Sequence, residues 1–246
     1  KSFDNFRLKY KDSMGKEKPD QFQKVCIYLG RAQLELHEYK VAEKLFVELA
    51  AESKAGAKAF LWQGRVLARQ KKYVEAVKVL TGAIKKFPNN PEMPDLLFDL
   101  AINNFRLDNF VEAGKAIDDL QKAKPDFGQM ADLLRLNAEC KFKTKDFDAS
   151  LKLCGEFLRA HAQHEHVGDV RFLEAENHFS LNQYERAVGI YGDFLEDYKT
   201  HPQVNAAKMR IGTSQHELKD WAKVLAALEP LMKSKAKGSV FGQLEF

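Results

Sequence analysis

An aromatic residue recurs along this chain at a nearly constant interval. Tyr39, Tyr73, Phe110, Phe147, Tyr184 and Trp221 each follow a polar residue, as in Asp146-Phe147 and Gln183-Tyr184, and lie 34, 37, 37, 37 and 37 residues apart. A fixed period of this length marks stacked supersecondary units, because one such unit is too small to bury its apolar face and must lean on its neighbours.

The columns around the aromatic carry the rest of the pattern. Nine residues before it stand Gly30, Gly64, Ala101, Ala138, Ala175 and Gly212. Three after it stand Ala42, Ala76, Ala113, Ser150, Ala187 and Val224; seven after, Phe46, Leu80, Ile117, Cys154, Tyr191 and Leu228; ten after, Leu49, Ala83, Leu120, Phe157, Phe194 and Leu231. Offsets of 3, 7 and 10 share one face of a helix. The pattern predicts a helical hairpin per unit. Helix A carries the small residue nine before the aromatic, and helix B the small residue three after it. Small side chains at the crossing let the two backbones approach, and the aromatic plugs the hairpin end. A turn such as Lys145-Asp146 or Asp108-Asn109 is short enough for antiparallel neighbours. Pro88 and Pro125, each fifteen after its aromatic, should end their B helices, because proline cannot continue a helix. Lys54, Ala162, Lys199 and Ala236 hold that place elsewhere. Pro230, inside the last B helix, should kink or end it.

Composition narrows the class. At 45% hydrophobic residues, with 14 Gly and 7 Pro in 246, the chain is too apolar for disorder and too poor in glycine and proline for a linker. No apolar run reaches the length of a membrane span, so no membrane insertion is expected. Three cysteines make no disulfide framework. The net charge of +4 balances 39 basic against 35 acidic residues, which reads as a solvated surface and leaves no nucleic acid expected as a partner.

The repeat resembles the tetratricopeptide repeat, a helix–turn–helix unit of about 34 residues. Residues 57–90 carry the resemblance best, through Phe60, Gly64, Leu67, Tyr73, Ala76, Leu80, Ala83 and Pro88. Two departures stand out. The tryptophan that opens helix A in the family is Cys26, Phe60, Leu97, Leu134, Arg171 and Lys208 here, and the period of 37 adds nearly one helical turn. Such long units resemble bacterial cell-envelope repeat proteins. The resemblance implies an all-α fold, a right-handed superhelical solenoid of antiparallel helix pairs running over 1–246. Its units are read as 23–56, 57–93, 94–130, 131–167, 168–204 and 205–240. Residues 1–20 read as helix B of a preceding unit and 241–246 as the start of a further helix, so more repeats are expected on one or both sides. The exposed terminal helices are then the surfaces expected to pair two copies. The compartment is left open between a bacterial periplasm or cell envelope and the cytoplasm.

Catalytic and metal chemistry find little footing. The chain has no phosphate loop, dinucleotide fingerprint, nucleophile elbow or paired-cysteine motif. His161, His164 and His166 are the best metal candidates, but no second cluster completes a coordination sphere, and histidines at a helix end also complement its dipole. Cys154 falls in a core column, and no histidine accompanies Cys26 or Cys140. His178 and His216 share A helices with Glu176 and Glu217, a pairing common on solvated surfaces. No enzyme activity, no cofactor and no metal are expected.

In the resembled family the A helices line a concave face that binds protein segments. The A-helix residues twelve, eight and five before each aromatic form one stripe that should face away from helix B. From this stripe we take Arg31, Arg65, Phe98, Ile102, Phe105, Arg135, Glu139, Phe142, Phe172, Glu176, Phe179 and His216 as candidate partner-binding residues. Its early part is basic, with Lys24, Arg31, Lys58, Arg65 and Arg69; its later part is acidic, with Glu139, Asp169 and Glu176. The implied function is a non-catalytic scaffold that binds a peptide segment or partner protein in the groove. A peptide-sensing regulatory module is the first alternative. RNA binding is the second, and it would need a continuous basic groove. The family's clamp for a C-terminal carboxylate, a Lys and an Asn, is replaced here by Ile27 and Arg31. An alternative weighed against ligand binding is that the phenylalanines pack between repeats.

Overall fold

The structure is a computed structural model that describes residues 19–51 and 56–233. The expected half-repeat before residue 19 and the helix start at 241–246 lie outside the described residues. Among those described there are twelve helices and no strand: α1 (Pro19–Glu35), α2 (Tyr39–Ala51), α3 (Ala57–Arg69), α4 (Tyr73–Lys86), α5 (Met93–Arg106), α6 (Phe110–Ala123), α7 (Met130–Lys143), α8 (Phe147–Ala160), α9 (Val167–Ser180), α10 (Tyr184–Asp197), α11 (Val204–Glu217) and α12 (Trp221–Lys233). Every periodic aromatic is the first residue of an even-numbered helix. The chain divides into two compact units, Lys1–Phe127 and Gly128–Phe246. The first holds α1–α6 and the second α7–α12. Within each unit every helix packs on the next in sequence, and odd-numbered helices also touch one another.

Each A-to-B turn has the same construction. His37, Lys71, Asp108, Lys145, Asn182 and Lys219, two residues before each aromatic, have φ between 58° and 63°. The N–H of Lys145 donates to the carbonyl of Phe142 at 2.9 Å and the N–H of Asp146 to that of Lys141 at 2.8 Å. These two bonds form a Schellman cap, which satisfies the last carbonyls of helix A and reverses the chain. The other five turns repeat the pair of bonds at their own register.

The hairpin crossing follows from size. A Cβ on Gly30 would meet Phe46 Cζ at 2.4 Å, one on Gly64 would meet Leu80 Cδ2 at 2.7 Å, and one on Gly212 would meet Leu228 Cδ2 at 2.4 Å. The small column of helix A is therefore the seat for the large column seven after the aromatic. The small column of helix B lies beside it: the Ser150 hydroxyl donates to the Ala138 carbonyl at 2.8 Å. Ala42, Ala76, Ala113, Ser150 and Ala187 are all fully buried, as are Phe46, Leu80, Ile117, Cys154 and Tyr191. In α12 the same columns, Val224 and Leu228, are only half-buried.

Helix ends obey two rules. Helix α4 stops at Lys86 and α6 at Ala123, two residues before Pro88 and Pro125, whose rings disfavour helical geometry at the preceding residue. Helices α8 and α10 stop at the same register without proline. Here histidine holds the exit: His164 packs edge-on against Phe157 at 5.4 Å and His201 against Phe194 at 5.1 Å. Each Nδ1 accepts a backbone N–H two residues on, from His166 and Gln203, at 3.3 Å in both cases. Helix α12 differs from expectation in running past Pro230 to Lys233.

Candidate functional site

In the first unit the stripe starts at Arg31, which is exposed, with its guanidinium 4.7 Å from the centre of the Trp62 ring. Arg65 lies 4.8 Å from the same ring. Its Nε donates to Asp99 Oδ2 at 2.6 Å and its Nη2 to Asp95 Oδ1 at 2.9 Å. Lys58 approaches Glu92 at 3.8 Å. Two of the early basic charges, Lys58 and Arg65, are thus met by carboxylates at the start of the next A helix and within it. Ile102 is half-buried. Phe98 packs on Phe127 and Phe105 on Phe110, each with ring centres 5.5 Å apart.

In the second unit Phe142 packs on Phe147, Phe179 on Tyr184, and His216 on Trp221. Phe172 is 9% exposed and lies against both Tyr191 and Phe194. The stripe therefore does not simply face away from helix B. In the last four hairpins the residue five before the aromatic, Phe105, Phe142, Phe179 or His216, packs its ring on it and closes the hairpin end. Phe172, twelve before, reaches the B-helix columns seven and ten after. Long aromatic side chains span an interhelical gap that the 3.6-residue period alone assigns to the other side.

Glu176 is buried and fully engaged. Arg210 grips it through Nε at 2.8 Å and Nη2 at 3.0 Å, and the Tyr191 hydroxyl donates to the same carboxylate. Arg210 also covers the Phe179 ring at 4.4 Å. Burial and the adjacent carboxylate push the Tyr191 hydroxyl well above the ordinary phenol range. Glu176–Arg210 and Arg65–Asp99 occupy the same two columns, eight before one aromatic and eleven before the next, with the charges exchanged. Arg31 and Trp62 fill those columns in the first two hairpins. The columns join one A helix to the next. The residues eleven before the aromatic were not among the expected site residues, although the opposite charges 34 residues apart were visible.

Five expected residues meet in one cavity of about 260 Å³, lined by Arg135, Glu139, Phe142, Lys143, Asp169, Phe172, Leu173, Glu176 and Gln203. Arg135 Nη1 stands 3.7 Å from Glu139 Oε2. Arg135 Nε and Gln203 Oε1 are both buried with no hydrogen-bond partner. Asp169 binds His166 Nδ1 at 2.7 Å and His201 Nε2 at 3.3 Å, so of the three motif histidines it is His166 that braces a residue of the cavity wall. Among the described residues no three His, Cys, Asp or Glu side chains gather in a way that could hold a metal ion. The three cysteines are buried, and burial pushes the Cys154 thiol up to about 12, far from the range of a nucleophile.

Two family models, each described as a tetratricopeptide repeat, match residues 29–91 and 67–136. Residues 29–136 are tetratricopeptide repeats. Solved structures share the tetratricopeptide fold at low identity. A tetratricopeptide repeat protein from Parabacteroides merdae is 13% identical, with a TM-score of 0.64 over 86% of this chain and 79% of that one. MamA from Desulfovibrio magneticus is also 13% identical, with a TM-score of 0.60 over 73% and 97%. PilF of Pseudomonas aeruginosa is 12% identical, with a TM-score of 0.60 over 91% and 96%. No curated protein matches the chain significantly. The tetratricopeptide family consists in general of non-catalytic scaffolds for protein–protein interaction, and no described helix here is long and apolar enough to cross a membrane.

Proposed function

We propose that this tetratricopeptide chain is a non-catalytic scaffold that captures an extended segment of a partner protein, and that the cavity between α7, α9 and the start of α11 holds that segment. The observation that carries the reading is the convergence there of Arg135, Glu139, Phe142, Phe172 and Glu176 around one concavity. Its lining suits a peptide: Phe142, Phe172 and Leu173 offer apolar contact, and Arg135, Lys143, Glu139 and Asp169 supply charge of both signs. A pocket with apolar walls and a few placed polar groups is the usual form of a ligand site. Glu139 in this lining disfavours the RNA alternative, since a phosphate backbone would meet its carboxylate, while Asp169 and Glu176 are already engaged by histidines and by Arg210.

Selection of a random twelve-residue phage library on the immobilised chain tests this. Enriched peptides should lose at least tenfold in affinity on Lys143→Glu or Phe142→Leu, and keep it on Lys115→Glu, an exposed control on α6. Absence of enrichment, or equal binding by all three variants, would sink the proposal.

A further inference from the structure

Among the described residues, the last helix leaves apolar surface uncovered. In α2, α4, α6, α8 and α10 the residue seven after the aromatic, Phe46, Leu80, Ile117, Cys154 or Tyr191, is fully buried. Its counterpart in α12, Leu228, is only half-buried, and Leu225, one turn before it, is 61% exposed. The gap is not within the hairpin, because Leu228 is seated over Gly212 of α11. It is on the side where other B helices meet the A helix that follows. There Leu80 of α4 shares a buried cluster with Leu96, the fourth residue of α5, and Tyr191 of α10 shares one with Ala207, the fourth residue of α11. In α5, α7, α9 and α11 the fourth residue, Leu96, Leu133, Val170 or Ala207, is at most 1% exposed. These four helices begin at Met93, Met130, Val167 and Val204, 37 residues apart. One further step reaches Phe241, and the fourth position then holds Leu244. The hexapeptide Phe241-Gly242-Gln243-Leu244-Glu245-Phe246 follows the start of α9, Val167-Gly168-Asp169-Val170-Arg171-Phe172, position by position: apolar, glycine, polar, apolar, charged, phenylalanine. Seven residues, 234–240, separate it from α12, against six, 87–92 and 198–203, between α4 and α5 and between α10 and α11.

We propose that residues 241–246, which lie outside the described residues, open the A helix of a further hairpin and dock on the uncovered face of α12, with Leu244 against Leu228. Six residues make fewer than two helical turns, too short to hold a helix by propensity, so packing on Leu228 is what selects the conformation. The short tether keeps the segment at an effective concentration of about millimolar at that face, which a second copy of the chain reaches only at millimolar protein. This face of α12 is then an inner joint of the repeat row and not a surface where two copies pair.

Cysteine pairs in the 246-residue chain test this. Leu228→Cys has a precedent, since Cys154 fills the same column in α8, and the three native cysteines are buried and do not compete. Combined with Leu244→Cys it should form an intramolecular disulfide, located by peptide mapping, at least about tenfold faster than when combined with Gln243→Cys. Gln243 holds the third position, where the side chains of Asp95, Asp132 and Asp169 reach solvent in α5, α7 and α9. Equal rates for the two pairs would overturn the proposal. Disulfides formed chiefly between two chains at micromolar protein would overturn it in favour of a second copy on this face. A second variant, Leu244→Asp, leaves α12 itself unaltered. Amide hydrogen exchange in the last two turns of α12 should quicken at least about threefold, and unchanged exchange would also overturn the proposal.

Discussion

Among the described residues, six non-glycine residues hold the left-handed conformation, one at each A-to-B hairpin turn. An L-residue in this region crowds its Cβ against the following carbonyl, at a cost of about 1–2 kcal/mol. The Schellman bonds offset that cost by satisfying carbonyls that would otherwise be left at the helix end. Lysine occupies the position three times although it has no side-chain group that favours the conformation, whereas Asn182 and Asp108 have a short polar side chain that tolerates it. Lys145→Gly should therefore stabilise the chain by up to about 1 kcal/mol, with the greater flexibility of glycine in the unfolded chain limiting the gain. Asn182→Gly should gain less. Urea midpoints at unchanged slope measure both, and a fall in stability for Lys145→Gly would contradict this account of the turn.

Among elements, two pairs of neighbouring A helices, α3–α5 and α9–α11, are linked by an ion pair at the same two columns, and its polarity reverses between Arg65–Asp99 and Glu176–Arg210. The geometry tolerates the exchange because it needs only complementary groups one repeat apart. The second pair is the more demanding, since Glu176 also accepts the Tyr191 hydroxyl and its side chain is 12% exposed. Removing Arg210 leaves that carboxylate buried without its partner. Losing one member of a fully buried pair costs about 3–5 kcal/mol; with Arg210 itself 39% exposed, about 2–3 kcal/mol is expected for Arg210→Met. The double change Arg210→Met with Glu176→Gln should recover part of it, because the neutral amide keeps an acceptor for the Tyr191 hydroxyl and leaves no orphaned charge. Chemical denaturation of the single and double variants reads the difference. A double variant no more stable than Arg210→Met would mean the loss comes from the packing of Arg210 on Phe179 instead.

Across the whole molecule, burial is distributed. In the first unit Phe22, Cys26, Leu45 and Phe46 belong to one apolar cluster, and Leu61, Leu80, Ala83 and Leu96 to another. Stability built from neighbour contacts lets damage stay near its origin. Phe46 is fully buried against Gly30, and Phe46→Ala should cost about 3–5 kcal/mol. Its amide hydrogen exchange should rise most in α1–α3 and much less in α5 and α6. Uniform acceleration across α1–α6 would mean that the unit opens as a single body.

The periodicity by itself determined that the chain is a row of antiparallel helix pairs, where each turn falls, and which columns are buried. These are consequences of backbone geometry and side-chain size, which act within one hairpin and repeat with it. The exits of α8 and α10 were less legible, because they depend on His164 and His201 stacking across a loop and not on a proline. The stripe from Arg31 to His216 named residues that do meet, in the case of Arg135, Glu139, Phe142, Phe172 and Glu176, at one cavity. Only the tertiary structure decided which of their groups are engaged. Glu176 and Arg65 are held by the next A helix, and Phe105, Phe142 and Phe179 by their own hairpin ends, while Arg135 Nε and Gln203 Oε1 are left without partners. A hydrogen bond or ion pair depends on distances of a few tenths of an ångström between residues some 30 positions apart, and no period in the sequence carries that information.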